Sequence, residues 1–208
     1  MKQHIYLIDG SAYLYRAFHA IQSLSTSTGI PTNATFGFTR ILLKLIKEKQ
    51  PDHAAVFFDM KGPTFRHKMY EEYKANRPPM PDDLSQQIPY IKEVVKALNI
   101  PIVEKSGFEA DDLIGTYARI AEEKGFQVVM VTGDKDFMQL VTDNAVIWDP
   151  MKEETMDKDA IFNKLGITPI QVIDMLGLAG DASDNIPGVP GIGPKTAIKL
   201  IADHGNME

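Results

Sequence analysis

Short apolar runs alternate along the chain with segments whose apolar positions recur every three to four residues. Strand-like runs rich in β-branched and aromatic residues cover residues 4–8, 54–58 and 127–131. A helix is indicated within residues 107–124, where apolar side chains share one face and Gly125 follows as a stop signal. Strands that alternate with helices are typical of parallel sheets. The pattern therefore predicts the α/β class, with a largely parallel central sheet flanked by helices.

Each of these three strands is followed directly by acidic side chains. Asp9 follows the first strand, Asp59 the second, and Asp134 and Asp136 the third. Because parallel strands end at one edge of a sheet, and ligands bind in the crevice outside those ends, we expect these carboxylates to converge. Five more candidates lie at the start of the predicted helix and in a loop near the C-terminus: Glu109, Asp111, Asp112, Asp181 and Asp184.

Taken singly, each of these acidic residues has an ordinary structural explanation. Carboxylates in the first turn of a helix interact favourably with its dipole, and Asp is common in turns. Nine carboxylates at one sheet edge, however, would repel one another by several kcal/mol unless cations neutralise them. Oxygen ligands without His or Cys favour hard ions. The set therefore predicts two Mg²⁺ or Mn²⁺ ions, held for chemistry at phosphorus.

The composition agrees with an all-oxygen site and leaves nucleic acid open as a partner. The 208 residues include no cysteine, and the five histidines show no metal-ligand spacing. The net charge is −6, but setting the nine candidate ligands aside from the 28 acidic residues leaves 19 against 22 basic ones. No stretch approaches the roughly 20 apolar residues that span a membrane, and no signal peptide is evident, so we expect a soluble, cytoplasmic protein.

Basic and aromatic side chains interleave soon after Asp59. This segment, residues 65–77, includes Arg66, Tyr73, Lys74 and Arg77 and precedes a proline-rich stretch. One explanation is a solvated amphipathic helix followed by a loop. The other is a nucleic-acid contact, because cations can hold a scissile phosphate and aromatic rings can stack on unpaired bases. The position beside Asp59 favours the second explanation.

A turn rich in glycine and proline lies near the C-terminus, between helix-like segments at residues 170–178 and 196–202. Pro194 separates Gly193 from Lys195, so the turn does not match the ATP-binding loop. The turn is predicted instead to present backbone N–H groups and a helix N-terminus to a DNA phosphate. The residues predicted to contact DNA there are Gly188, Gly191, Gly193, Lys195, Thr196 and Lys199.

Six motifs follow one another along the chain: DGSAYLYRAF, FFD, FRHKMYEEYKANR, GFEADDLIGT, VTGDKDFMQLV and GLAGDASDNIPGVPGIGPKTAIKLI. Together they resemble the 5′ nuclease domain of bacterial DNA polymerase I, a member of the flap endonuclease family, from residue 2 to at least residue 201. The resemblance implies a PIN-like 5′ nuclease fold with two Mg²⁺ (or Mn²⁺) ions and a helical arch that accepts the 5′ single strand. It also implies a helix-hairpin-helix that grips duplex DNA, often with K⁺ bound at the hairpin.

The resemblance assigns roles residue by residue. The first-metal group comprises Asp9, Asp59, Glu109 and Asp111, with Asp112 beside them. The second-metal group comprises Asp134, Asp136 and Asp181, with Asp184 nearby. In the arch, Lys74 and Arg77 are the implied catalytic cations at the scissile phosphate, Tyr73 the implied stacking residue and Arg66 a phosphate contact.

The resemblance also implies how the chain is divided and what it does. Residues 1–168 are expected to form the nuclease core, with the arch at about 61–90, and residues 169–208 the helix-hairpin-helix, which continues further in the family. The implied activity is Mg-dependent 5′-3′ exonuclease and flap endonuclease cleavage in replication and repair. The expected substrates are DNA with a 5′ flap, nick or 5′ end and RNA–DNA hybrids, and a polymerase portion is expected to follow.

Three alternatives explain less of the sequence. A PIN-type ribonuclease also clusters carboxylates at a sheet edge but leaves the glycine hairpin and the basic segment unexplained. A phosphoaspartyl phosphatase would need a second Asp two residues after Asp9, where Ser11 stands. A DNA-structure binder without cleavage would have no reason to keep nine carboxylates.

Overall fold

A mostly parallel sheet forms the centre of the protein. In the computed structural model, which describes residues 3–207, six strands form this sheet. The strands are β1 His4–Asp9, β2 His53–Phe57, β3 Ile102–Val103, β4 Gln127–Val131, β5 Ala145–Asp149 and β6 Glu154–Met156. Their order is β3-β2-β1-β4-β5-β6, and all neighbouring pairs are parallel except the antiparallel pair β5–β6. The predicted α/β class and parallel sheet are confirmed.

Helices cover both faces of the sheet and form the C-terminal part of the chain. They are α1 Gly10–Ala20, α2 Asn33–Lys49, α3 Phe65–Met69, α4 Asp82–Ser85, α5 Ile88–Ala97, α6 Ala110–Glu123, α7 Lys158–Leu165, α8 Val172–Ala179 and α9 Pro194–His204. Two 3₁₀ turns lie at Lys135–Leu140 and Pro169–Gln171, and a small hairpin pairs β7 Gly180–Asp181 with β8 Ile186–Pro187. None of the helices described is long and apolar enough to cross a membrane.

The strands are apolar on both faces because both faces are covered. Leu7 and Met130 point to one face and pack with side chains of α6, α8 and α9. Ile8 and Val131 point to the other face and pack with α1, α2 and α5. A fully buried aliphatic side chain stabilises the fold by roughly 1.5–3 kcal/mol. Burial of these continuous apolar runs therefore holds both helical layers on the sheet.

The order of the strands creates a switch point beside β1. From β1 the chain builds β2 and β3 on one side, and α6 then carries it across to β4 on the other side. Ile8 of β1 lies next to Val131 of β4, so the two strands end together. Open α/β sheets bind ligands at such a switch point. The predicted acidic residues follow these same strands.

The C-terminal helices share the core of the α6 side. Val172 and Met175 of α8 and Ala197 and Ile201 of α9 belong to the same buried cluster as Leu7 of β1. The core is therefore continuous across the predicted boundary between residues 168 and 169, and that division stays a prediction. The two helices were expected at 170–178 and 196–202, and α9 begins two residues earlier than expected, at Pro194.

The region predicted to form the arch, residues 61–90, is only partly helical. It contains α3 and α4 and the first turn of α5, with a series of turns at residues 71–77. In this conformation residues 71–77 lie against the acidic side chains at the sheet edge rather than spanning an opening above them. Of the amphipathic helix considered as the ordinary explanation for residues 65–77, only α3 Phe65–Met69 forms.

Candidate metal centre and nucleic-acid surface

Asp9, at the end of the central strand β1, is the most deeply placed candidate ligand. Its carboxylate accepts hydrogen bonds from the Ala12 backbone and from the Thr132 hydroxyl, each at 2.9 Å, so it also caps α1. Burial raises the pKa of Asp9 to about 6, although the two hydrogen bonds act to lower it. The charges of the neighbouring Asp59 and Asp134 raise it further. Asp9 therefore caps α1, and its role as a metal ligand stays a prediction.

Asp59 connects the end of β2 to the start of α6. Its backbone N–H donates to the Ser11 hydroxyl at 2.8 Å, and its Oδ1 accepts from the Ala110 backbone at 2.7 Å. The hydroxyl of Ser11 thus fixes the loop that carries Asp59, a role that the sequence interpretation missed. Its place two residues after Asp9 was the available signal.

Asp111 shows most directly that the carboxylates converge. Burial is the largest cause that raises its pKa to about 8, followed by the charges of Asp9, Asp134 and Asp59. These neighbours come from three different strand ends. Asp111 therefore lies where the predicted first-metal group meets Asp134 of the second group, and the crowding opposes ionisation of Asp111.

The second group is built on the turn after β4 and on the β7–β8 hairpin. Asp134 Oδ1 caps the turn by accepting from the Asp136 backbone at 2.9 Å. Burial, then the charges of Asp134 and Asp181, raises the pKa of Asp136 to about 6. Asp136 Oδ1 is buried and finds no hydrogen-bond partner among the described residues. Asp181 Oδ2 likewise accepts no hydrogen bond there, although Lys135 Nζ lies 3.4 Å away.

Residues 71–77 bring cations directly onto the acidic side chains. Lys74 Nζ lies 2.9 Å from Glu109 Oε1 and 3.8 Å from Asp184 Oδ2, and Arg77 pairs with Asp184 Oδ1. The Tyr73 hydroxyl lies 2.9 Å from a carboxylate oxygen of Glu109 and of Asp184. The Tyr73 side chain is only 4% exposed, so its ring is covered in this conformation rather than open for stacking.

Asp112 is bound differently from the other acidic residues. Both of its oxygens accept from the Arg66 guanidinium, at 2.9 and 2.7 Å, and Oδ2 also accepts from the Glu109 backbone. Burial opposes ionisation of Asp112, but the hydrogen bonds from Arg66 and from Glu109 outweigh it and lower the pKa. Here the ordinary explanation holds, because Asp112 caps α6 and anchors α3 through Arg66.

The donor set fits hard divalent ions, although the side chains are not yet arranged around one. Among residues 3–207 no group of three or more acidic or histidine side chains is positioned to hold a metal ion. Two of the candidate carboxylates, Glu109 and Asp184, are instead occupied by Lys74, Tyr73 and Arg77. The partnerless oxygen of Asp136 and the raised pKa values of Asp9 and Asp111 mark negative charge that a cation would relieve.

A partly buried ion pair lies beside the turn that follows β4, and the sequence interpretation did not single it out. Arg16 of α1 donates two hydrogen bonds to Asp149 at the end of β5, both at 3.1 Å. A side chain at Gly133 would collide with this pair, since its Cβ would lie 2.0 Å from Arg16 Nη1. The pair thus presses against the turn that carries Asp134. The signal in the sequence was Arg16, which no other Lys, Arg, Asp or Glu accompanies in the helix after Asp9.

The glycine-rich hairpin presents a helix N-terminus at the surface. Gly188 must lack a side chain, because a Cβ would lie 2.3 Å from the Ala179 carbonyl carbon, and Gly191 has a φ of 82°. Gly193 precedes α9, and a Cβ there would meet no described atom within 4 Å. The first-turn N–H groups of a helix lack intrahelical acceptors, and the cationic and hydroxyl side chains beside them are exposed: Lys195, Thr196 and Lys199.

Comparison with known families agrees with this geometry. The model described as 5′-3′ exonuclease, N-terminal resolvase-like domain, matches residues 4–166, and the model described as 5′-3′ exonuclease, C-terminal SAM fold, matches residues 167–208. The chain belongs to the 5′-3′ exonuclease family. It is a nuclease of this family, and the resemblance inferred from the motifs is confirmed.

Named relatives fall into two kinds. The 5′-3′ exonuclease of Aquifex aeolicus (strain VF5) is 45% identical over 204 residues, which cover 98% of this chain and 71% of the relative. The DNA polymerase I of Pseudomonas aeruginosa is 49% identical over 199 residues, which cover 96% of this chain and 22% of the relative. The chain therefore spans less than a quarter of that polymerase relative.

Solved structures show the same fold. The T5 5′-exonuclease with bound divalent metal ions (zinc) has a TM-score of 0.80 at 22% identity, covering 98% of this chain and 76% of that chain. The catalytic core of Rad2 in complex with DNA substrate has a TM-score of 0.65 at 21% identity, covering 99% of this chain and 62% of that chain. The fold of this 5′-3′ exonuclease family member is thus that of the T5 5′-exonuclease and of the Rad2 catalytic core.

Proposed function

We propose that this 5′-3′ exonuclease family member cleaves phosphodiester bonds at 5′ flaps, nicks and 5′ ends of DNA and removes RNA from RNA–DNA hybrids during replication and repair. The observation that carries the proposal is the convergence of Asp9, Asp59, Asp111 and Asp134 at the switch point of the sheet. Such crowding has a chemical use if the carboxylates hold divalent cations. The Rad2 core bound to DNA substrate supports DNA as the partner.

The carboxylates divide into two ligand groups in this proposal. Asp9, Asp59, Glu109 and Asp111 hold one Mg²⁺ or Mn²⁺ ion, with Asp112 supporting them through the first turn of α6. Asp134, Asp136 and Asp181 hold a second ion, with Asp184 beside them. Two such ions supply a hydroxide nucleophile and stabilise the attacking and leaving oxygens at phosphorus. The raised pKa values of Asp9, Asp111 and Asp136 fit carboxylates that ionise fully once cations are present.

Lys74 and Arg77 are proposed to bind the scissile phosphate. Both lie at the carboxylates already, and a cation there stabilises charge that grows in the transition state. Lys74→Ala should therefore lower turnover much more than it weakens DNA binding. If binding alone is lost and turnover at saturating DNA is unchanged, Lys74 only positions the substrate.

The remaining DNA contacts lie on both sides of the carboxylates. Arg66 is proposed to contact phosphate and Tyr73 to stack on an unpaired base, which requires residues 71–77 to leave the closed position seen here. The hairpin residues Gly188, Gly191, Gly193, Lys195, Thr196 and Lys199 are proposed to hold duplex DNA, with K⁺ among the backbone oxygens of the turn. Neither contact set reads bases, which suits an enzyme that recognises the shape of its substrate.

Cleavage of a 5′-flap DNA, labelled on its 5′ strand, tests the proposed activity. The protein in Mg²⁺ and K⁺ should cut near the flap junction, and EDTA should abolish cutting. Asp134→Ala should remove cleavage while a gel shift still shows binding, and the exposed Asp159→Ala on α7 serves as the control. An intact substrate that is nevertheless bound by the wild-type protein would favour a DNA-structure binder without cleavage.

Attachment to a polymerase is a separate part of the proposal. The polymerase I relatives, which are about four times longer than the matched region, support a polymerase portion after residue 208. The coding sequence downstream tests it: several hundred further codons support the proposal, and an early stop codon overturns it. A cytoplasmic location, where bacterial chromosomal DNA lies, belongs to the same proposal.

A further inference from the structure

Two loops from distant parts of the chain are joined by reciprocal hydrogen bonds. We call residues 70–77 the closure segment and residues 181–185 the acidic loop. The Asn76 side chain donates to the Ala182 carbonyl at 2.8 Å, and the Asn185 side chain donates back to the Glu72 carbonyl at 2.7 Å. Between them the Lys74 backbone N–H donates to the Asp184 carbonyl at 2.9 Å. The closure segment is therefore held along its length.

This contact places side chains of the closure segment on oxygens that a divalent ion would need. Glu109 has one oxygen on Lys74 and the other on Tyr73, and Asp184 has one on Arg77 and the other on Tyr73. The two cationic side chains thus supply positive charge where divalent ions would otherwise supply it. The positive charges of Lys74 and Arg77 at these oxygens repel a divalent ion that approaches the same carboxylates.

The backbone of the closed arrangement carries a conformational cost. Lys74 has a φ of 56° and Asn185 a φ of 57°, both in the left-handed region. This region is unfavourable for a residue with a long side chain such as lysine and is tolerated better by asparagine. The contacts between the loops must offset that cost. Weakening one of them should therefore release the segment.

We infer that Asn76 and Asn185 are positioning residues that hold the closure segment on the carboxylates, so that closure and divalent-ion binding compete. The inference rests on the proposed metal site. Binding of the ions frees Lys74 and Arg77 from Glu109 and Asp184 and makes them available to a phosphate. Because this coupling is reciprocal, closure weakens metal binding by the same factor by which bound metal weakens closure. A variant in which the closure segment opens more readily should therefore bind the ions more tightly.

Calorimetric titration of the 208-residue protein with Ca²⁺ and with Mg²⁺ measures this coupling. Asn76→Ala and Asn185→Gly each remove one side-chain hydrogen bond, and glycine keeps the left-handed backbone of residue 185 accessible. Each variant should bind the ions about 3- to 10-fold more tightly, the factor expected from the net contribution of one hydrogen bond. Asn163→Ala, on the exposed face of α7, is the matched control and should leave the affinity unchanged.

Amide hydrogen exchange reports opening of the closure segment directly, without a comparison of metal affinities between wild type and variants. The Lys74 N–H, bonded to the Asp184 carbonyl, should be protected in EDTA and should exchange at least several-fold faster in saturating Mg²⁺. In Asn76→Ala and Asn185→Gly it should exchange faster even in EDTA. The same exchange rate with and without Mg²⁺ overturns the inference.

The outcomes separate this inference from the proposed function. If wild type and variants bind the ions with equal affinity, closure does not compete with metal, yet the metal site stands. If neither the wild type nor the variants bind a divalent ion, the proposed metal site is wrong. The inferred competition between closure and metal binding is then wrong as well. Tighter binding by both variants, with the control unchanged, supports both.

Discussion

Replacing Asp111 by asparagine should stabilise the metal-free protein at alkaline pH. Burial and the charges of Asp9, Asp134 and Asp59 raise the pKa of Asp111 to about 8 from an ordinary value of 3.8. The folded state therefore holds a proton that the unfolded chain has already released at neutral pH. The contribution of the Asp111 proton to the free energy of unfolding is fully present below pH 3.8. It is lost as the pH rises towards 8, the pKa of Asp111 in the folded state. Asparagine has a similar shape to aspartic acid and stays uncharged at every pH of the experiment.

The size of the effect follows from the pKa difference. One pKa unit corresponds to 1.36 kcal/mol, so the difference between 3.8 and about 8 sets an upper limit of roughly 6 kcal/mol at pH 8 or above. Asp9 and Asp136, whose pKa values are also raised, can take up protons in place of Asp111 and reduce this figure. We expect Asp111→Asn to raise the free energy of unfolding by about 2–4 kcal/mol at pH 8 and by less than about 0.5 kcal/mol at pH 4.

Urea denaturation in EDTA at pH 4, 6 and 8 measures this difference directly. Exposed Asp159→Asn on α7 is the control, and its small effect should not follow the same pH dependence. Added Mg²⁺ should stabilise the wild type at pH 8 more than the variant, because the ion then neutralises the charge that asparagine removes. A variant that is no more stable than wild type at pH 8, or a gain that is independent of pH, would refute the reasoning.

Three further changes test other parts of the structure. Gly133→Ala should cost about 2–3 kcal/mol in urea denaturation because its Cβ would lie 2.0 Å from Arg16 Nη1, whereas Gly115→Ala in α6, 3.4 Å from Leu140, should stay within about 1 kcal/mol of wild type. Asp149→Asn should cost about 2–3 kcal/mol by the same assay, since it leaves the Arg16 guanidinium without its carboxylate partner. A double Lys195→Ala and Lys199→Ala variant should weaken duplex binding and lower the salt dependence of log K by about 1–2, with unchanged turnover at saturating DNA.

The sheet could be predicted closely because its strands are continuous apolar runs. The run at 127–131 matches β4, while β1 extends one residue further, to Asp9, and β2 begins one residue earlier than expected, at His53. Those shifts arise because strand ends are set by backbone pairing with neighbours, here Asp9 with Phe57, rather than by side-chain polarity. The residues after each strand, and hence the converging carboxylates, do not depend on such small shifts.

The arch region was predicted less well, because its local pattern does not determine its partners. Residues 65–77 have helix-like spacing, yet Tyr73 and Lys74 turn inward to carboxylates instead of continuing α3. The energy of those charge and hydrogen-bond contacts outweighs the modest helix propensity of a short segment. The carboxylates that bind Tyr73 and Lys74 belong to Glu109 and Asp184, which lie far from residues 65–77 in the sequence.

The alternation of strands and helices, the acidic residues that follow the strands and the glycine turn before α9 can all be recognised in the sequence. These features depend on local periodicity and on which residues follow a strand, so they can be recognised without coordinates. The folded chain shows in addition which carboxylates are crowded together, which are paired with cations, and that the closure segment lies on the acidic loop. Those contacts join residues 35 positions apart, as in Lys74 with Glu109, or 111 apart, as in Tyr73 with Asp184. Folding alone brings such residues together, and their charges act only over the short distances that folding creates.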